Sequence, residues 1–461
     1  MIDISIKEDI VIRDKNIVVI GLGISGLEVS KLANYLGAKV FVSDSGSTKI
    51  INSNAMELMS IHHIACETGI HSLRIYKADM WIVSPGISKN AEIIIKAQNL
   101  GIPIVSEIEF SSWFTSRPII AVTGSNGKTT TCNLLHQMCQ SIEVHSTMAG
   151  NMGIPFSERV LNDLLKPDKN QVYILEISSF QMEFIYHFCP DIAIYTNLSI
   201  DHLDRHGSKT EYYNMKLQMS KHMNIENHII YNGDDLELIE ILKNSKSKLV
   251  PFSIQRSDTL YKVDSGKILN GENQPILNIN EISIPGDHNL SNMISAATCS
   301  HLIGIKDDKI SQVMKKYSGI EHRLEYVSVL KDIEFYNDSK ATNIDSVIVA
   351  IKSFTKPIVL ILGGKDKGAD FRLLLPHIKP NHVRDIISYG EAGGQINTAL
   401  GDAVRSVKVS DLSSAVKKAQ YLAAPGDIVL LSPGCASFDE FSNFEERGNF
   451  FKSLVLGITK A

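Results

Sequence analysis

IIAVTGSNGKTT, residues 119–130, runs from a short apolar, β-rich segment into a glycine-rich loop and then into Lys128-Thr129-Thr130. The pattern predicts a buried strand over 119–122, a loop, and an amphipathic helix continuing to about residue 140. Chemistry follows from that order. Gly124 and Gly127 let successive backbone N–H groups turn inward around an anion, and the helix adds partial positive charge at its N-terminus. Lys128 then reaches the outer phosphates of a nucleotide, and the Thr129 hydroxyl can ligate Mg²⁺. Gly124, Ser125, Asn126, Gly127, Lys128, Thr129 and Thr130 are therefore the expected ATP-phosphate cradle, with Lys128 also a catalytic candidate. Val122 stands where the full GxxxxGK[ST] pattern has its first glycine.

A bound nucleotide and its cation call for an acid nearby. Glu176 closes the apolar run 172–175, at the end of a predicted strand where a carboxylate can meet Mg²⁺ beside the loop. After the next apolar run, 192–195, comes the polar stretch TNLSIDHLDRH at 196–206. It falls at the sheet edge where open α/β folds bind ligands, although a solvated loop is the plain alternative. Upstream, GLGISG at 21–26 follows the apolar run 17–20, and Asp44 ends the next predicted strand. That is the dinucleotide fingerprint, with an acid for a ribose hydroxyl. NAD fits it, and so does any ligand with a pyrophosphate and a ribose, such as a UDP-sugar. Ser84-Pro85-Gly86, after the run 80–83, adds a further turn facing that ligand.

The 461 residues, 44% hydrophobic and 21% charged, suit a soluble globular protein of more than one domain. Apolar runs all fall short of the ~18–20 residues a membrane helix needs. The start, MIDISIKEDIVIRDK, lacks the basic-then-apolar layout of a secretory signal, so a cytoplasmic protein is expected. Six scattered cysteines with no CxxC pair argue against a disulfide framework or a structural zinc site. A net charge of −5 gives no general attraction for nucleic acid, so local cations and helix N-termini must hold any anionic ligand. Short apolar runs alternate with amphipathic stretches, the pattern of βαβ units and mainly parallel sheets. Three blocks are expected: 1–115, with strands at 17–20, 40–42 and 80–83; 116–320, with strands at 119–122, 172–175 and 192–195; and 321–461, with strands at 358–362, 385–388 and 428–431.

Eight segments, in chain order, resemble the Mur ligases, the ATP-dependent amino-acid ligases of bacterial cell-wall synthesis. They are GSNGKTT at 124–130, GNMGIP at 150–155, EISSFQ at 176–181, DHLDR at 201–205, His288-Asn289, His322-Arg323, NDSKATN at 337–343 and GGKDK at 363–367. KGADF at 367–371 and SPGCASFDEFSNFEERG at 432–448 are similar to the D-glutamate-adding branch of that family. The resemblance implies three α/β domains: a Rossmann-like N-terminal domain for a UDP-linked substrate, a P-loop ATPase-like central domain with a mainly parallel sheet, and a Rossmann-like C-terminal domain for the amino acid. It implies an ATP-dependent peptidoglycan-precursor ligase that joins D-glutamate to UDP-N-acetylmuramoyl-L-alanine through an acyl phosphate and a tetrahedral intermediate. Two Mg²⁺ ions are implied, and a monomer that binds neither nucleic acid nor membrane is expected.

Residue by residue, the same resemblance assigns Ile24, Ser25, Asp44 and Ser45 to the uridine end of the substrate, Asn151 and His202 to its muramoyl-alanine end, and Gly86, Ser178 and Gln181 to substrate binding with no end specified. Thr129, Glu176, His202 and Lys216 would serve the metal ions, with Lys216 carbamylated and both His202 and Lys216 catalytic. Taken alone, Lys216 reads as an ordinary helix lysine. Asn289, Asn292, His322, Arg323, Asp338 and Lys340 would cradle ATP, and Thr342, Lys367, Ser437, Phe438 and Phe444 would receive D-glutamate. A sibling ligase for another amino acid, a folate-type ligase, an NAD-dependent dehydrogenase and a non-catalytic nucleotide switch remain open. The absence of a guanine-reading NKxD motif weakens the last.

Overall fold

Branched apolar runs become the inner strands of three mainly parallel sheets. The computed structural model describes residues 1–140, 144–151, 153–199, 208–284, 286–366, 368–378 and 382–459. Main-chain contacts divide the chain into two units, 1–279 with 291–314, and 280–290 with 315–461.

The first unit holds two parallel sheets. Edge to edge, one runs Ala65–Thr68, Lys39–Asp44, Asn16–Ile20, Met80–Val83 and Ile104–Ser106. Chain order reverses between Asn16–Ile20 and Met80–Val83, which opens a crevice beyond their carboxyl ends. The other sheet runs Lys248–Phe252, His228–Asn232, Ile192–Tyr195, Ile119–Thr123, Gln171–Glu176 and His145–Gly150. Ile119–Thr123 lies inside this sheet and all five of its residues are buried, as a strand covered on both faces requires. The helix after it, Lys128–Cys139, ends close to the expected residue 140. One apolar core joins the two sheets, drawing Val19 from the first, Tyr173 and Leu175 from the second, and Leu32 and Phe156 from helices Ile24–Tyr35 and Phe156–Leu165. A small antiparallel sheet of Lys262–Asp264, Lys267–Leu269 and Pro275–Asn278 follows.

The second unit has one six-stranded sheet, ordered Glu325–Leu330, Ile333–Asn337, Ile428–Gly434, Ile358–Gly363, Val383–Tyr389 and Arg405–Lys408. Only the first pair is antiparallel. Side chains alternate across it. Leu360, Leu362 and Ile386 pack with Val347 and Ile396 on one face, while Val359, Ile361 and Ile387 pack with Val416 and Phe451 on the other. Each of the nine expected apolar runs lies within a strand, seven of them extended by one to three residues. All six cysteines are free, and among the described residues no helix is long and apolar enough to cross a membrane.

Candidate active site

The phosphate loop is shaped by its two glycines. Gly124 has φ 153° and Gly127 φ 84°, both in the left-handed half of conformational space. A Cβ on Gly124 would lie 1.9 Å from Thr196 Oγ1, and one on Gly127 would lie 2.3 Å from Asn292 Oδ1. The loop is braced by the chain leaving the adjacent strand: Thr196 Oγ1 and Asn197 Nδ2 both donate to Asn126 O, at 2.5 and 3.0 Å, and Asn197 Oδ1 accepts from Asn126 N–H at 2.9 Å. Ser125 Oγ donates to Ser199 O at 2.8 Å and lies 3.3 Å from Tyr212 Oη. Two ammonium groups meet the same loop. Lys128 Nζ donates to Gly124 O and Ser125 O at 2.7 and 3.0 Å, and Lys216 Nζ donates to Gly124 O at 2.8 Å. Lys216 is 2% exposed, so its ordinary-surface reading is wrong. Thr129 and Thr130, in the first turn of the helix, are buried.

Glu176 ends the neighbouring strand in register with Val122, which puts its carboxylate at the foot of the loop. It is 3% exposed. Oε1 accepts from Asn151 Nδ2 at 2.9 Å, while Oε2 is buried with no hydrogen-bond partner. A buried, half-satisfied carboxylate next to a Thr-bearing phosphate loop fits an oxygen-seeking divalent cation. Among the described residues no cluster of three or more His, Cys, Asp or Glu side chains forms a metal cage. A cation here would take its remaining oxygens from phosphates and water, as Mg²⁺ does.

Next to this region lies a cavity of about 740 Å³. Ile24, Ser25, Asp44, Ser45, Gly86, Asn151 and Gln181, all expected to meet the UDP-linked substrate, line it together. The glycine fingerprint explains its floor: a Cβ on Gly26 would lie 1.9 Å from Gly21 O, so only glycine lets the first helix start so close to the strand end. Asp44 accepts from Leu22 N–H at 2.6 Å and Gly46 N–H at 2.7 Å, which makes it a brace for that loop. Ser178 does not line the cavity; its N–H and hydroxyl donate to Gln181 Oε1, at 3.0 and 3.1 Å, and so orient the Gln181 side chain.

In the second unit, His322 and Leu324 take left-handed conformations, φ 65° and 42°. That turn is fastened by His322 N–H donating to Glu325 Oε2 at 2.9 Å and by Asn337 Nδ2 at 2.9 Å from His322 Nδ1. Burial holds the His322 imidazole below its usual pKa, and acceptance at Nδ1 leaves the proton on Nε2. Arg323 lies between these two left-handed residues. Asp338 accepts from Leu324 N–H at 3.2 Å and from the Ser432 hydroxyl at 2.8 Å. Lys340 N–H donates to His322 O at 3.0 Å, and its Nζ stands 4.9 Å from the Phe444 ring centre. Thr342, Ser437, Phe438 and Phe444 follow the carboxyl ends of the adjacent strands Ile333–Asn337 and Ile428–Gly434. Ser437 is buried and Phe438 is 60% exposed. Asn289 and Asn292 stand three residues apart on the helix Asp287–Leu302, both buried. His202 and Lys367 lie outside the described residues.

Burial pushes the Asp338 carboxyl up to about 7, against 3.8 for an unperturbed Asp. Folded, it keeps a proton that the unfolded chain releases, so the stability it contributes is full below about pH 4 and is lost as pH rises to about 7. Asp338→Asn should flatten that segment of a melting-temperature profile against pH. An unchanged slope would show that Asp338 ionises normally when folded.

Several residues that shape the site carry no individual role in the sequence. Thr196, Asn197 and Tyr212 brace the loop; the polar stretch 196–206 stood at the ligand edge, but nothing in it marked Thr196 and Asn197 as braces, and nothing marked Tyr212. Arg447 is fully buried. It donates to Ser339 Oγ and O, at 2.9 and 2.7 Å, and to Ala436 O and Cys435 O, at 3.2 and 3.1 Å, tying two strand ends together.

Fold and loop define an α/β enzyme that works with a nucleoside triphosphate. The chain belongs to the Mur ligase family, whose members are ATP-dependent amide-forming ligases of peptidoglycan synthesis. Residues 15–106 match the Mur ligase MurD-like N-terminal domain, 122–300 the Mur ligase middle domain, and 322–435 the Mur ligase glutamate ligase domain. UDP-N-acetylmuramoylalanine–D-glutamate ligase of Acidobacterium capsulatum is 37% identical over 452 residues, covering 96% of this chain and 97% of the relative. The enzyme of the same name from Christiangramia forsetii is 38% identical over 455 residues, covering 96% and 99%. The fold is also that of MurF ligase from Thermotoga maritima, solved in complex with ADP, with TM-score 0.59, 14% identity and coverage of 99% and 98%.

Proposed function

We propose that this ligase joins D-glutamate to UDP-N-acetylmuramoyl-L-alanine, with ATP converted to ADP and phosphate. Residues 1–115 would hold the UDP end, 116–320 the ATP and 321–461 the amino acid, in a cytoplasmic monomer. The observation that carries this reading is Asn151: it lines the substrate cavity while its carboxamide donates to Glu176, the acid in register with the phosphate-loop strand. A substrate seated in that cavity can therefore present its far end to the nucleotide.

A carboxylate at neutral pH is a poor electrophile with no leaving group. Transfer of the γ-phosphoryl group of ATP to the L-alanyl carboxylate gives an acyl phosphate and ADP. The D-glutamate amine then attacks the carbonyl carbon, a tetrahedral intermediate forms, and phosphate leaves as the amide closes and the amine loses its proton. Two anions must first be brought together, so the work is positioning and charge neutralisation. The loop amides and Lys128 cradle the phosphates. Thr129 and Glu176 would hold one Mg²⁺, and His202 and a carbamylated Lys216 a second; bound there, Mg²⁺ supplies charge neutralisation at the phosphoryl oxygens. His322, Arg323, Asp338, Lys340, Asn289 and Asn292 would serve ATP, and Thr342, Lys367, Ser437 and the chain at Phe438 and Phe444 would receive D-glutamate.

The test is ADP release from purified protein with ATP, Mg²⁺ and UDP-N-acetylmuramoyl-L-alanine, offering D-glutamate, L-glutamate, L-lysine or meso-diaminopimelate in parallel. Turnover is expected with D-glutamate. Turnover with another amino acid and none with D-glutamate would assign the chain to a sibling activity.

A further inference from the structure

The short helix Glu107–Ser112 follows the last strand of the first sheet, and all six of its residues are buried. Two are carboxylates with almost no exposure, Glu107 at 2% and Glu109 at 0%. Both accept from main-chain N–H groups of distant segments. Glu107 Oε1 accepts from Ser157 N–H at 2.5 Å, in the first turn of helix Phe156–Leu165, whose N-cap Pro155 provides no capping side chain. Its carboxylate therefore sits at the positive end of that helix. Glu109 accepts from His187 N–H at 2.7 Å through Oε1 and from Phe188 N–H at 2.9 Å through Oε2, with Trp113 Nε1 donating to Oε1 at 2.8 Å.

These two attachments fall just after the two segments that form one side of the 740 Å³ cavity. Gly150, Asn151 and Gly153 lead into the Ser157 contact, and Gln181 leads into the His187 and Phe188 contacts. The opposite wall, with Gly23, Ser84 and Gly86, follows strands of the sheet whose last member, Ile104–Ser106, carries the helix itself. Burying carboxylates against main-chain donors is costly relative to apolar packing, and what such contacts supply is fixed direction and spacing.

We propose that Glu107 and Glu109 are positioning residues that set the width of the UDP-substrate cavity by clamping the two segments of its far side to the first sheet. This rests on the substrate reading above. Calorimetric titration of wild type, Glu107→Ala, Glu107→Gln and Glu109→Gln with UDP-N-acetylmuramoyl-L-alanine, and separately with a non-hydrolysable ATP analogue, tests it. Glu107→Ala should weaken the UDP-substrate by about tenfold or more and the ATP analogue by no more than about twofold. Glu107→Gln, which keeps a carbonyl acceptor, should recover part of the loss. Hydrogen exchange should quicken across 153–157 in the Glu107 variants and across 178–188 in Glu109→Gln, while strand Ile119–Thr123 keeps its protection. If Glu107→Ala fails to fold, the two Gln variants carry the same comparison. Unchanged UDP-substrate affinity, or parallel loss of both ligands, would overturn the clamp. A wild type that binds no UDP-substrate refutes the functional reading instead; the clamp then falls if exchange across those segments is the same in wild type and variants.

Discussion

Lys128→Ala is expected to abolish ATP-dependent turnover. Its ammonium folds over the loop to Gly124 O and Ser125 O, the position from which a cation can follow a phosphate that enters. Phosphoryl transfer spreads charge over the γ-oxygens, and one preorganised donor at such a centre is worth roughly 10²–10³ in rate. Losing a full charge together with a brace of the loop puts the expected fall at the upper end of that range or beyond. Lys128 does not line the 740 Å³ cavity, so binding of the UDP-substrate should survive. Steady-state ADP release, paired with calorimetric titration of the UDP-substrate, separates the two. Turnover within about threefold of wild type would remove the loop from the chemistry.

What the sequence discloses depends on whether the relevant physics is local. Ile119–Thr123, Ile358–Gly363 and Ile428–Gly434 are buried along their whole length, so their stretches 119–122, 358–362 and 428–431 read as unbroken apolar runs. The edges did not read that way. His145–Gly150 is half-exposed and carries His and Ser, Lys248–Phe252 tolerates Pro251 because an edge strand spares a donor, and Arg405–Lys408 begins and ends with a cation. The phosphate loop is likewise local, and its glycines announce it. The substrate cavity is not: Ile24, Gly86, Asn151 and Gln181 meet only because two sheets share a core, and a family resemblance alone pointed to them together. Glu107 and Glu109 are the opposite case. Carboxylates ordinarily signal solvent, and only the fold reveals that both are enclosed. Asp44 was legible by type, yet the backbone N–H groups that occupy it were not.

Lys216→Ala should also abolish turnover, and its pattern of rescue is what distinguishes the role proposed for it. Lys216 lies in helix Lys209–Leu217 at 2% exposure, with Nζ on Gly124 O at 2.8 Å and 4.8 Å from the Tyr212 ring centre. A bare ammonium this close to the phosphate loop opposes the gathering of Mg²⁺ there. Loss of one proton frees the neutral amine; its attack on CO₂ forms an N–C bond and releases a second proton, so a +1 group becomes a −1 oxygen donor suited to that cation. A short carboxylic acid entering the space left in Lys216→Ala can replace the carbamate's oxygens, so formate or acetate should restore part of the activity. Lys216→Arg keeps the positive charge and cannot be carbamylated, so it should stay inactive with or without acid. Activity retained in Lys216→Arg would mean that the ammonium itself is what the site uses. Near-wild-type turnover of Lys216→Ala without added acid would exclude any essential part for this lysine.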